Sequence, residues 1–138
     1  MAPKNNHYRT LLDVARLLHN KSISPVELTQ QMLRRIKTKD RKLKSYALVT
    51  PELAMKQAKK AEQEIAKGKV RGPLHGVPIA VKDLCFTRGI PTAAGMSINK
   101  NFKPKFDSTV VKRLSNAGAI LLGKLQMTEG AFAEPVSY

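Results

Sequence analysis

Cysteine is almost missing from this chain. Cys85 stands alone among 138 residues, so no disulfide can close within the chain and no cysteine cluster can hold a metal. Histidine is scarce as well; His7, His19 and His75 are scattered, and no metal or cofactor is expected. Tryptophan is absent and aromatics make up only 5% of the residues, which leaves few stacking platforms for nucleobases. Proline aside, no uninterrupted apolar run exceeds four residues, Ala119 to Leu122 being one, far short of the roughly 18 needed to span a bilayer. Repeats and low-complexity tracts are lacking too. These absences leave a globular protein of a reducing, cytoplasmic compartment, with room for one core.

Positive charge is abundant. Lys and Arg number 25 against 10 Asp and Glu, a net charge of +15. Residues 1–72 carry 17 basic against 6 acidic side chains, and residues 73–138 carry 8 against 4. The densest stretch, "RRIKTKDRKLK" (34–44), holds seven positive residues and one negative. A polyanion such as RNA is one partner this charge fits. No aromatic residue interrupts the stretch and no Gly-rich or zinc-finger pattern accompanies it, so a solvated face is the competing reading and any nucleic-acid binding is expected to be weak and non-specific.

Periodicity divides the chain into helices followed by an α/β rhythm. Leu11, Leu12, Ala15 and Leu18 recur at helical spacing, which favours a folded helix over an Arg-containing transit peptide. Ser24-Pro25-Val26-Glu27 combines a capping serine, a proline at the first helical position and a capping-box glutamate, predicting a helix to about Lys37 with Val26, Leu28, Met32, Leu33 and Ile36 inward. A short strand over 45–50 follows. A helix then opens at Thr50-Pro51-Glu52 and closes at Gly68, with Ala54, Ala58, Ala61 and Ile65 on one face. The glycines and prolines of "GKVRGPLHG" break helix. A strand over 77–82, a helix over 109–117 capped by Asp107 or Ser108, and a strand over 119–124 make a βαβ unit with a buried parallel sheet. The expected fold class is α/β, with N-terminal helices followed by the opening βαβ unit of a truncated sheet. The expected division is a basic helical segment, 1–72, and the start of the α/β core, 73–138.

Within "GVPIAVKDL" (76–84) a lysine follows five apolar residues. An unpaired ammonium is costly to desolvate, so Lys82 either reaches water or pairs with Asp83, or it is held for chemistry. Active sites of open α/β sheets gather beyond the carboxyl ends of strands, where Lys82 falls. A partly desolvated amine there can give up its proton and act as a base.

"GPLHGVPIAVKDL", then "GIPTAAG", then "DSTVVKRLSNAGAILLGKLQMTE" resembles the N-terminal part of the amidase signature family in order and spacing. Upstream, "LLDVARLLHNKSISPVEL" is similar to that family's opening helices. The resemblance covers about Thr10 to Glu129. It implies a C–N hydrolase acting on small carboxamides through an acyl-enzyme, with a Ser–cis-Ser–Lys triad whose lysine is Lys82, a base acting through the bridging serine. It also implies that Gly130, Ala131 and Phe132 line the acyl side of the pocket; core packing of Phe132 is the competing reading. Leu125-Gln126 replaces the family's frequent Thr-Asn, and Gly130 a bulkier residue.

The family's two serines lie in a Gly/Ser-rich segment beyond the matched part, and these 138 residues contain none. Ser97, Ser108, Ser115 and Ser137 have no Gly-Ser-Ser-Gly context. Three readings follow: an amidase fragment inactive by itself, a basic RNA- or polyanion-binding module linked for example to tRNA-dependent transamidation, and a structural half-domain that docks on a partner chain.

Overall fold

The computed structural model describes residues 8–132; His7 and Ser137 lie outside them. Helix α1 (Leu11–His19) is capped by Thr10, whose Oγ1 accepts the amide of Asp13 at 3.2 Å. It buries Ala15 and Leu18 as expected, but Val14 joins them in place of Leu11 and Leu12, which are exposed. Helix α2 (Pro25–Leu43) starts at the expected cap, with Ser24 Oγ accepting the amides of Val26 and Glu27 at 3.0 and 3.1 Å. It continues past Lys37 because nothing in Thr38-Lys39-Asp40 breaks it. It stops at Lys44, whose φ of 50° is left-handed, and there Asp40 Oδ1 takes the amide of Ser45 at 2.7 Å.

Strand β1 (Tyr46–Val49) leads into α3 (Pro51–Ala66), β2 (Pro78–Lys82), α4 (Thr109–Asn116) and β3 (Ile120–Leu125). The sheet order is β1-β3-β2, with β3 parallel to β2 as expected and antiparallel to β1. β3 is buried from Ile120 to Lys124 because it lies between its neighbours and beneath α3. The stripe Ala54, Ala58, Ala61 has side chains small enough for α3 to approach Ile120 and Leu122. Gly123 serves the same end on the β1 side, where an added Cβ would stand 2.2 Å from the carbonyl oxygen of Leu48.

A second cluster packs Val14, Leu18 and Leu28 on Val77, and a third joins Val81, Val111 and Leu121. On α4, Val111 is buried and Leu114 partly so, but Val110 is exposed. Ser108 occupies the N-cap position of α4 without a side-chain cap bond. Asp107 instead accepts the amide of Arg88 at 2.7 Å, tying down the long connection after β2. That connection is further held by the rings of Phe102 and Phe106, each 5.6 Å from Phe86. No helix among the described residues is long and apolar enough to cross a membrane.

Candidate active site

Two lysines stand at the carboxyl ends of the parallel strands, Lys82 last in β2 and Lys124 next to last in β3. Lys82 closes β2 opposite Leu125, and Lys124 stands opposite Val81 one strand away. The two differ completely in surroundings. Lys82 is exposed, and its amine has no hydrogen-bond or ion-pair partner among the described residues. Lys124 is fully buried: its Nζ lies 3.2 Å from Asp83 Oδ1 and donates to Thr92 Oγ1 at 2.8 Å. The desolvation argued for Lys82 from its apolar run is found at Lys124, and the carboxylate next to Lys82 in sequence pairs with Lys124 instead. Loss of water pulls the Lys124 amine below the ordinary lysine range, while the hydrogen bond and charge of Asp83 oppose that shift.

Asp83 serves three partners at once. Its Oδ1 meets Lys124, its Oδ2 accepts the amide of Ala93 at 3.0 Å, and its main-chain carbonyl accepts the amide of Ala94 at 3.2 Å. Its own amide donates to Leu125 at 3.0 Å, prolonging the β2–β3 ladder past Lys82. The Thr92 hydroxyl that receives Lys124 donates in turn to the Ile90 carbonyl at 3.2 Å.

The loop 92–95 then meets the segment after β3. Gly130 donates its amide to Ala94 at 2.9 Å, and a Cβ on Gly95 would stand 2.6 Å from the carbonyl oxygen of Thr128, so only glycine permits this approach. Ala94 (φ 53°) and Ala131 (φ 64°) are left-handed without being glycine, a strain of about 1–3 kcal/mol each that recurs at functional sites. Gly130-Ala131-Phe132 therefore sits one hydrogen bond from the loop that Asp83 holds. Phe132 is 97% exposed and joins none of the core clusters among the described residues. Of the described serines, Ser97 and Ser115 are exposed and Ser108 begins α4.

The amidase family model matches residues 27–136. The chain belongs to the amidase signature family. It is 52% identical over 122 residues to the putative amidase AmiD of Mycobacterium tuberculosis, and 44% identical over 125 residues to a glutamyl-tRNA(Gln) amidotransferase subunit of Methylococcus capsulatus. These alignments take in 88% and 91% of this chain but 26% of each relative, so the chain spans about a quarter of the length of the proteins it matches. The peptide amidase of Stenotrophomonas maltophilia superposes with a TM-score of 0.86 at 32% identity, over 92% of this chain and 26% of its own. The α/β architecture is thus that of the opening part of an amidase domain.

Reasoning from the residues alone singled out Lys82, weighed Asp83 only as its ion-pair partner, and passed over Lys124 and Thr92. The signal was present, since "AILLGK" also ends an apolar run in a lysine. What a linear reading lacks is which lysine meets the carboxylate.

Proposed function

We propose that this chain is the base-bearing N-terminal part of an amidase that cleaves small carboxamides through an acyl-enzyme. The observation that carries the reading is the free amine of Lys82 at the carboxyl end of a parallel strand, beside the buried Lys124–Asp83 pair, in a chain of this family. Asp83 is engaged by Lys124, so no carboxylate among the described residues holds the Lys82 amine; once the rest of the domain covers that amine and it has given up its proton, it accepts one from a serine hydroxyl. The serine then attacks the amide carbon, and the leaving amine takes the proton back. Gly130, Ala131 and the exposed Phe132 would flank the acyl group. The described residues hold a base without a positioned nucleophile or oxyanion donors, and the 138-residue chain by itself is expected not to turn over amides.

The test is a chimera that continues the chain past Tyr138 with the remaining length of the AmiD relative, assayed on aryl and alkyl amides beside the 138-residue chain. The chimera is expected to hydrolyse them, and Lys82→Ala to lower kcat by about 10²–10⁴-fold, the range of general-base contributions. Turnover that survives Lys82→Ala, or Lys82-dependent turnover by the chain alone, overturns the proposal.

A second reading, a surface for a polyanion, has one observation in its favour: Arg34, Lys37, Lys39, Arg41 and Lys42 are all exposed on the last turns of α2. Arg35 is engaged, its guanidinium 5.7 Å from the ring centre of Tyr8.

A further inference from the structure

A lysine with no exposed surface demands a reason. A buried ion pair is weak as a source of stability, since apolar side chains of similar volume often do as well, so its presence points to a geometric task. The geometry is a relay of hydrogen bonds. Asp83 follows Lys82 directly and accepts from Ala93 and Ala94; Ala94 in turn accepts from Gly130. A carboxylate buried among these partners calls for a buried counter-charge, and the Lys124 amine, 3.2 Å away and braced by Thr92, supplies it. Residues far apart in sequence, Lys82 and Gly130 to Phe132, are thereby given one relative placement.

We infer that Lys124 is a positioning residue: as the buried counter-charge of Asp83, it lets that carboxylate clamp the 92–95 loop, and through it the 129–132 segment, to the Lys82 end of β2. The inference deepens the amidase reading, in which Lys82 and Gly130 to Phe132 face one substrate. Its test uses no turnover, so it can fail while the amidase reading stands, and the reverse.

Amide hydrogen exchange at Ala93, Ala94 and Gly130 reports the clamp, with Leu121, whose amide is bonded to Gln57 at 2.8 Å, as the internal reference for the core. Lys124→Met takes the counter-charge away from the buried Asp83 carboxyl group, and the three reporter amides are expected to lose about ten-fold or more of their protection relative to Leu121. Asp83→Asn/Lys124→Met removes the charge but keeps a side-chain oxygen for Ala93, and is expected to restore protection at all three. A merely space-filling Lys124 would make the two variants behave alike. Reporter amides that stay protected in Lys124→Met, or that are lost equally in both variants, overturn the inference. Should the variants fail to fold, the parent chain decides: reporters exchanging with Leu121 uphold the clamp, and reporters exchanging about ten-fold faster or more refute it.

Discussion

His75 shows how a single buried ring can tie stability to pH. Its Nδ1 accepts the amide of Arg71 at 3.1 Å, its Nε2 lies 3.1 Å from Glu64 Oε2, and a Cβ on Gly118 would stand 2.3 Å from its Cδ2. Burial lowers its pKa from the ordinary 6.5, the positive charges of Arg71 and His19 act in the same direction, and Glu64 opposes them. The unfolded chain therefore takes up this proton first as pH falls. The stability contributed by neutral His75 is full above 6.5 and is lost as pH drops below that value towards the lower folded one. Glu64, held below 4.5 chiefly by its hydrogen bond from Arg71, contributes stability that is present above 4.5 and lost in a more acid window. Thermal midpoints measured from about pH 7.5 to about pH 5.5 should fall, and His75→Leu should flatten that fall while lowering the midpoint at the alkaline end. An unchanged slope in His75→Leu would assign the dependence to other groups. At this scale sequence reasoning was least secure. The apolar neighbours of Lys82 along the chain left open whether its amine reaches water, and only the family resemblance made it the base, because burial is decided by neighbours across the sheet.

Elements were more legible, because their causes are local. The Ser24-Pro25 start, the Thr50-Pro51 start and the alanine stripe of α3 all appear where spacing and capping put them. The end of α2 did not, since Lys44 terminates it through a left-handed conformation that no glycine or proline announces. The alanine stripe invites a packing test. Ala58 is fully buried between α3 and β3, in a cluster containing Ile120 and Leu122. Ala58→Leu must push α3 off the sheet or force strained rotamers, at a cost of about 1–3 kcal/mol. A denaturant midpoint lowered accordingly, with helix content retained, is the expected result; an unchanged midpoint would mean that the layer is looser than its geometry.

For the whole molecule the open quantity is charge. A net +15 will bind RNA weakly at low salt whatever the surface is for, so the comparison belongs near physiological salt. There, tRNA binding is expected to fall within or above the non-specific range of about 10⁻⁴–10⁻⁶ M, without dependence on nucleotide sequence. Arg34→Glu/Arg35→Glu/Lys42→Glu should lower it only in proportion to the charge removed, as filter binding across a salt series would show. Tight, saturable binding abolished by the triple reversal would instead favour the polyanion reading of α2.

The sequence by itself determined the family, the starts of α2 and α3, the parallel pairing of β2 with β3 and, among the described residues, the lack of a helix long and apolar enough to cross a membrane, because capping chemistry, hydrophobic period and motif order are properties of neighbours along the chain. Only the tertiary structure decided that β1 joins the sheet antiparallel to β3, that Lys124 rather than Lys82 is the desolvated amine, and that Asp83 binds the 92–95 loop beside Gly130. Those facts depend on which strands lie side by side. An ion pair between residues 41 positions apart, Asp83 just past β2 and Lys124 next to last in β3, forms only when register brings Val81 opposite Lys124.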